Sequence, residues 1–230
     1  MDWVDPMANE TYAQRLRVTF ATGESVKYVG HLDLARAWER AIRRARLPLA
    51  YTQGFNPQPR LQFAAALPVG YTSQVELADI YLNEPLAPET AVARLAVALP
   101  EGIRPLAAVE VPREAPSLQS QLVAASYRVA VFSIPYSLRD RLSAFWGQAS
   151  APRQRRRGKE VVAYDLRPLV LELAYEGPCA APWPGGDPGE AFTTTMRSEP
   201  AATGRPDELL AELGYGSAPR AIHRLALIFR

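Results

Sequence analysis

Two successive β-α-β-β-α-β element orders, strands that alternate apolar with polar residues, and a Pro/Ser/Gln-rich stretch between the two halves together predict the fold class. It is an α+β protein of two ferredoxin-like (βαββαβ) units, the second a pseudo-duplicate of the first. The 230 residues suffice for two separate cores. On this reading residues 1–12 are a disordered lead-in, 13–111 the first unit, 112–126 a linker and 127–230 the second unit.

In the first unit, Arg15–Thr22 alternates Leu16, Val18 and Phe20 with polar neighbours, the signature of a half-buried strand. A helix is predicted from Gly30–His31 to about Arg46, where Pro48 prevents its continuation. At 3.6 residues per turn, Leu34, Trp38, Ala41, Ile42 and Ala45 share one side and Arg36, Arg40, Arg43 and Arg44 the other. Tyr51–Pro59 (YTQGFNPQP) reads as a shaped loop, because its prolines fix φ and its glycine and asparagine favour turns. Strands are expected at Arg60–Ala66 and Val75–Leu82, around a turn at Leu67–Ser73. A helix at Pro88–Leu99, stopped by Pro100 and Gly102, and a strand at Ile103–Val111 complete the unit.

The second half repeats the pattern. Tyr127–Ile134 alternates as a strand and Leu138–Gln148 carries Leu142, Phe145 and Trp146 on a helix. Arg153–Lys159 reads as a basic hairpin loop, with strands at Glu160–Tyr164 and Leu169–Tyr175 interrupted by Arg167–Pro168. After a loop at Gly177–Glu190, a strand is expected at Ala191–Arg197. The helix Arg205–Leu213 has Pro206 in its first turn, Asp207 and Glu208 against its N-terminal dipole, and Gly214 beyond its end. Ile222–Phe229 closes the chain as an alternating strand.

Composition narrows the chemistry. No run of 18 apolar residues is present, so no membrane association is expected, and the acidic opening MDWVDPMANET lacks the pattern of a signal peptide. A cytoplasmic protein is the default expectation. Cys179 is the only cysteine, and His31 and His223 are the only histidines. This set cannot hold an iron–sulfur cluster and makes a Cys/His zinc site implausible, so neither a metal nor a cofactor is expected. The net charge of +2 is unevenly spread: residues 11–60 and 128–167 each carry +6, and the remaining segments are acidic. Of 26 cations, 24 are arginine, the better fork for phosphate, although a GC-rich genome or selection for heat also enriches arginine.

The two basic blocks fall at matching places in the repeat and direct attention to nucleic acid. Arg36, Arg40, Arg43 and Arg44 can track a phosphate backbone, with Lys27, Arg46 and Arg60 alongside; the bland alternative is a solvated helix face balanced by Asp33 and Glu39. Tyr51, Phe55 and Asn56 in the loop, and Tyr71 beside it, place aromatics next to arginine, as single-stranded RNA recognition requires; buried anchors are the competing fate. Arg153, Arg155, Arg156, Arg157 and Lys159 form the second cationic cluster. His31, at a helix N-terminus, is the candidate general acid–base of the first half. An alternative function is therefore metal-independent RNA cleavage of the CRISPR-processing type, with Tyr51 or Arg60 assisting His31.

The segment HLDLARAWERAIRRARLPLAYTQGFNPQPRLQFAAALPVGYTSQVELADIYL (His31–Leu82) resembles the bacterial radical-SAM-linked proteins, which are fused to or encoded beside radical SAM enzymes. YDLRPLVLEL (Tyr164–Leu173) and GRPDELLAELG (Gly204–Gly214) are similar to later blocks of that family. Where the family pattern commonly has histidine after GFNP, this chain has Gln58. The resemblance implies a partner or substrate-presenting role beside a separate radical SAM enzyme, since one cysteine cannot ligate the cluster of that enzyme. The expected function is therefore binding of RNA (tRNA or rRNA) on behalf of such an enzyme. A protein-interaction module that docks the enzyme without RNA is the other alternative.

Overall fold

A computed structural model describes residues 12–133, 136–158, 160–200 and 202–230. The chain is a mixed α+β protein of antiparallel sheets and few helices, dividing into two compact units, Met1–Gln119 and Ser120–Arg230. Among the described residues, no helix is long and apolar enough to cross a membrane. The expected lead-in falls almost wholly on residues 1–11, outside the described residues.

The first unit runs β1 (Gln14–Thr22), α1 (His31–Arg44), β2 (Leu61–Phe63), β3 (Tyr71–Leu82), α2 (Pro88–Ala98) and β4 (Ile103–Glu110). Its strands pair antiparallel in the order β4-β1-β3-β2, with Val18 opposite both Ala78 and Ala108. The alternation of β1 puts Leu16, Val18 and Phe20 into the core with Ala78, Ile80 and Leu82 of β3. Onto them α1 lays Leu34, Trp38, Ala41 and Ile42, the stripe its spacing predicts, and α2 adds Ala91 and Leu95. Trp38 and Phe20 meet with ring centroids 4.8 Å apart, anchoring α1 to the sheet. Beyond Arg44 the chain turns through Arg46 at φ 53°, a left-handed position that ends the helix before Pro48.

Two differences from expectation matter for function. The strand β3 begins at Tyr71 instead of Val75, so Tyr71 is drawn into the sheet and is 2% exposed. It therefore cannot serve as a stacking aromatic. The expected linker is also ordered at its start: Arg15 donates to the carbonyls of Ala115 (2.6 Å) and Pro116 (3.0 Å), and Gln119 Nε2 donates to the carbonyl of Phe63. A helical turn, α3 (Leu118–Gln121), follows with Leu118 fully buried.

The second unit comprises β5 (Leu122–Phe132), α4 (Leu138–Trp146), β6 (Pro152–Arg157), β7 (Glu160–Asp165), β8 (Val170–Cys179), β9 (Gly189–Glu199), β10 (Ala202–Thr203), α5 (Pro206–Glu212) and β11 (Arg220–Phe229). Its main strands pair antiparallel as β11-β5-β9-β8, and β10 adds a short ladder to β9. Val129, Val131, Phe192 and Met196 are buried, as are Leu138, Leu142 and Phe145 of α4 and Leu209 and Leu210 of α5. Ser137 caps α4 by accepting from the Asp140 backbone N–H. The expected basic loop is instead a strand: β6 pairs residue for residue with β7, Arg153 opposite Tyr164 and Arg155 opposite Val162. A run of arginines has no apolar alternation to reveal it; the partner strand EVVAYD supplies the ladder.

Candidate nucleic-acid interface

Helix α1 turns its arginines outward because its opposite stripe is spent on the core. Arg36, Arg40, Arg43 and Arg44 are all exposed. Two of the four are partly neutralised by the chain itself. Arg36 pairs with Asp33 at 3.1 Å and Arg43 with Glu39 at 2.6 Å, the i,i+3 and i,i+4 spacings that a helix surface brings together. Both pairs are solvated, so each contributes little to stability. Arg44 donates to the carbonyl of Ala98 at 2.6 Å, capping α2. Arg40 lies between the two pairs and forms no ion pair among the described residues.

Arg43 also donates through Nε to the Tyr51 hydroxyl at 3.0 Å, and its guanidinium lies 5.8 Å from that ring's centroid. The Tyr51 hydroxyl, and after it Glu39, push the Arg43 pKa up. This bond joins the arginine row to the stem of the loop. The stem is closed by a bridge between Tyr51 and Pro59, by Thr52 N–H donating to the Gln58 carbonyl, and by Gln58 N–H donating to Thr52 Oγ1, both at 2.9 Å. Gly54 sits at φ 127°, which a side chain disfavours, so the tip depends on glycine there. At that tip Phe55 is 112% exposed, with Asn56 exposed beside it. A protruding phenyl ring contributes nothing to the core of its own unit.

Arg60 is elsewhere. It is 0% exposed, its guanidinium 5.0 Å from the Tyr12 ring and 5.1 Å from the Tyr81 ring. The expectation that it contacts nucleic acid is corrected: as the first residue after the loop it turns inward under two aromatic rings. His31 begins α1, is exposed, and meets the edge of Phe63 at 5.5 Å between centroids. No hydrogen bond orients its imidazole among the described residues. The Tyr51 hydroxyl accepts from Arg43, and Arg60 is buried against two aromatic rings and is not exposed to assist His31.

In the second unit, Arg153 pairs with Glu212 of α5 at 3.1 Å. Arg155 donates to the carbonyl of Thr203 at 3.1 Å and lies 4.9 Å from the centroid of Tyr164. These two arginines serve their own unit instead of standing free on a loop. Arg156 and Arg157 are the last residues of β6, and Lys159 lies outside the described residues. Among the described side chains, the exposed arginines gathered on one element are those of α1, which Arg43 joins to the stem of the Tyr51–Pro59 loop.

Several features were missed by reading the sequence. Asp79, 0% exposed, accepts from Arg15 (3.0 and 2.6 Å) and from Arg17 (2.9 and 3.1 Å), forming a buried charged hub on β1 and β3. The visible signal was an aspartate inside the otherwise apolar ADIYL. Tyr28, Leu32 and Val69 are exposed apolar side chains near the start of α1, where the Gly70 N–H donates to the Lys27 carbonyl. A shallow groove of ≈ 620 Å³ is lined by Arg44, Arg46 and Arg94 with Val97. Arg44 donates to the Ala98 carbonyl and Arg94 to the Arg46 carbonyl, at the C-terminal ends of two helices whose dipoles repel an anion. Among the described residues no three His, Cys, Asp or Glu side chains are grouped to hold a metal ion.

Comparison with curated proteins finds no match. A family model described as "Uncharacterized protein conserved in bacteria (DUF2344)" matches residues 15–201. That span takes in α1, the loop, the Asp79 hub and the β6–β7 hairpin, and the chain accordingly belongs to the DUF2344 family of bacterial proteins.

Proposed function

We propose that this protein binds RNA, through the α1 arginine row and the Thr52–Gln58 loop, and presents it to a separate radical SAM enzyme that modifies or processes tRNA or rRNA. The observation that carries the reading is the Arg43 bridge. One guanidinium holds Glu39 on the helix and Tyr51 at the loop stem, so cations and an exposed aromatic belong to one surface. Arginines supply the sequence-independent phosphate attraction, and a preformed loop loses little entropy on binding. From Arg40 to Val75 the sequence contains no carboxylate, so nothing along this stretch repels a phosphate backbone.

The test is fluorescence anisotropy with a labelled tRNA or rRNA fragment. Arg40→Glu is expected to weaken binding several-fold with the fold intact; equal binding by the variant, or none by the wild type, overturns the proposal. The partnership with a radical SAM enzyme rests on the resemblance of His31–Leu82 and on the single cysteine of this chain. Failure of the two proteins to co-elute on size-exclusion chromatography, with RNA present or absent, would remove it.

The two units are read as ferredoxin-like repeats of one ancestral βαββαβ domain. Support comes from the matched strand orders, β4-β1-β3-β2 in the first unit and β11-β5-β9-β8 in the second, with β6–β7 as an insertion. Helices lying on opposite faces of the two sheets would refute duplication.

A further inference from the structure

We infer that the loop selects unpaired nucleotides, with Phe55 as the platform on which one unstacked base lies. This rests on the RNA-binding reading and deepens it by naming the class of RNA.

The loop holds its aromatic ring outward at a cost in free energy. A phenyl ring held wholly in water forgoes the stabilisation that burial would give, yet Phe55 is 112% exposed. Its position is not the result of a slack chain. Tyr51 bridges Pro59, Thr52 and Gln58 exchange two hydrogen bonds, and Pro57 and Pro59 fix their own φ. The backbone is therefore shaped to present that ring to solvent. In a duplex each base is already stacked on its neighbours and offers only edges in the grooves, so a protruding ring meets no base face there. An unpaired base offers its whole face, and stacking on an aromatic side chain tolerates any base identity.

The surroundings favour a nucleotide over an apolar protein segment. The residues flanking Phe55, from Thr52 to Gln58, are neutral and rich in amides that can meet base edges. The charge bonded to the loop stem is an arginine, Arg43, which also pairs with Glu39, and Arg40 stands on the same helix. A single strand crossing this surface can set a base on Phe55 while adjacent phosphates reach the arginine row.

The experiment compares a labelled, unstructured single-stranded RNA of about twelve nucleotides with the blunt RNA duplex of the same sequence, for wild type, Phe55→Ala, Phe55→Trp and Arg40→Glu. Wild type is expected to bind the single strand more tightly. Phe55→Ala should weaken that binding about 5- to 100-fold and leave duplex binding unchanged. Phe55→Trp should retain the preference, and its new indole should be quenched when the single strand is added. Because Phe55 packs on nothing, the alanine variant should unfold at the same urea concentration as wild type. Equal affinity for both RNAs, unaltered by Phe55→Ala but lowered by Arg40→Glu, overturns the inference and leaves RNA binding standing. Binding of neither RNA removes the RNA reading and the inference with it. If the indole introduced by Phe55→Trp stays unquenched in a saturated complex, the inference is also overturned.

Discussion

Replacing Asp79 with asparagine removes the charge at the centre of the first unit's buried hub. The carboxylate is 0% exposed and accepts four hydrogen bonds, two from Arg15 and two from Arg17. The two arginines differ in what they can do once it is neutral. Arg17 is 19% exposed and can turn to water, but Arg15 is 3% exposed and is also held by the carbonyls of Ala115 and Pro116. Asp79→Asn thus leaves one guanidinium buried without a counter-charge, at a cost of about 3–5 kcal/mol. That is a large share of the roughly 5–15 kcal/mol that keeps a domain folded. Urea unfolding followed by the fluorescence of Trp38, itself 0% exposed, reads this unit when Trp3, Trp146 and Trp183 are replaced by Phe. With a slope of about 1.5 kcal/mol per molar urea, the midpoint should fall by about 2 M or more. A loss under about 1 kcal/mol would mean that water reaches the hub, and would refute the reasoning. A double substitution, Arg15→Met with Asp79→Leu, should be less damaging than the sum of its parts, because the charges then leave the interior together.

Two further predictions concern the second unit's hairpin and the first unit's turns. Burial, and after it the Glu208 carboxylate, push Tyr164 up to about 12 from the ordinary value of 10. The unfolded chain therefore ionises first, and the stability that Tyr164 contributes below pH 10 is lost as pH rises towards about 12. Tyr164→Phe should abolish the highest component of the phenolate absorbance titration and flatten this alkaline loss; an unchanged titration would contradict it. Gly102 sits at φ 92°, and a Cβ there would lie 2.1 Å from Ser25 Oγ. Ser25 can swing aside only by giving up its bond to the Glu101 carbonyl, and both Val26 methyls would still lie 3.2–3.3 Å from the new Cβ, so Gly102→Ala should cost at least about 1–2 kcal/mol in urea unfolding. A neutral alanine variant would show that the turn relaxes freely.

The helices were the most legible part of the chain, because an amphipathic stripe is a local pattern. Leu34, Trp38, Ala41 and Ile42 share a face by spacing alone, and they are the residues that α1 buries. The arginine row was legible for the same reason. What was not legible depends on partners distant in sequence. Arg60 and Arg40 are indistinguishable as residue types, yet one is enclosed by Tyr12 and Tyr81 and the other faces solvent. Tyr71 reads as a turn aromatic, but β3 starts there and pairs with β1 from Ser73 opposite Thr22. Asp79 could be noticed as a charge in an apolar strand, but its two arginines sit more than sixty residues earlier. The arginine-rich β6 gave no alternation at all, and only its ladder with β7 makes it a strand. The exposure of Phe55 lay between these cases: the prolines predicted a shaped loop, while the outward ring required the structure.

The most direct test of the central claim is the salt dependence of RNA affinity. Each phosphate neutralised on a single strand contributes a slope of about −0.7 in log affinity against log salt concentration. Three or four contacts from the α1 row and its neighbours should therefore give a slope of about −2 to −3, and Arg40→Glu should reduce its magnitude by about 0.7 or more. A flat salt dependence, or a slope that Arg40→Glu leaves unchanged, would contradict a polyanion seat on α1.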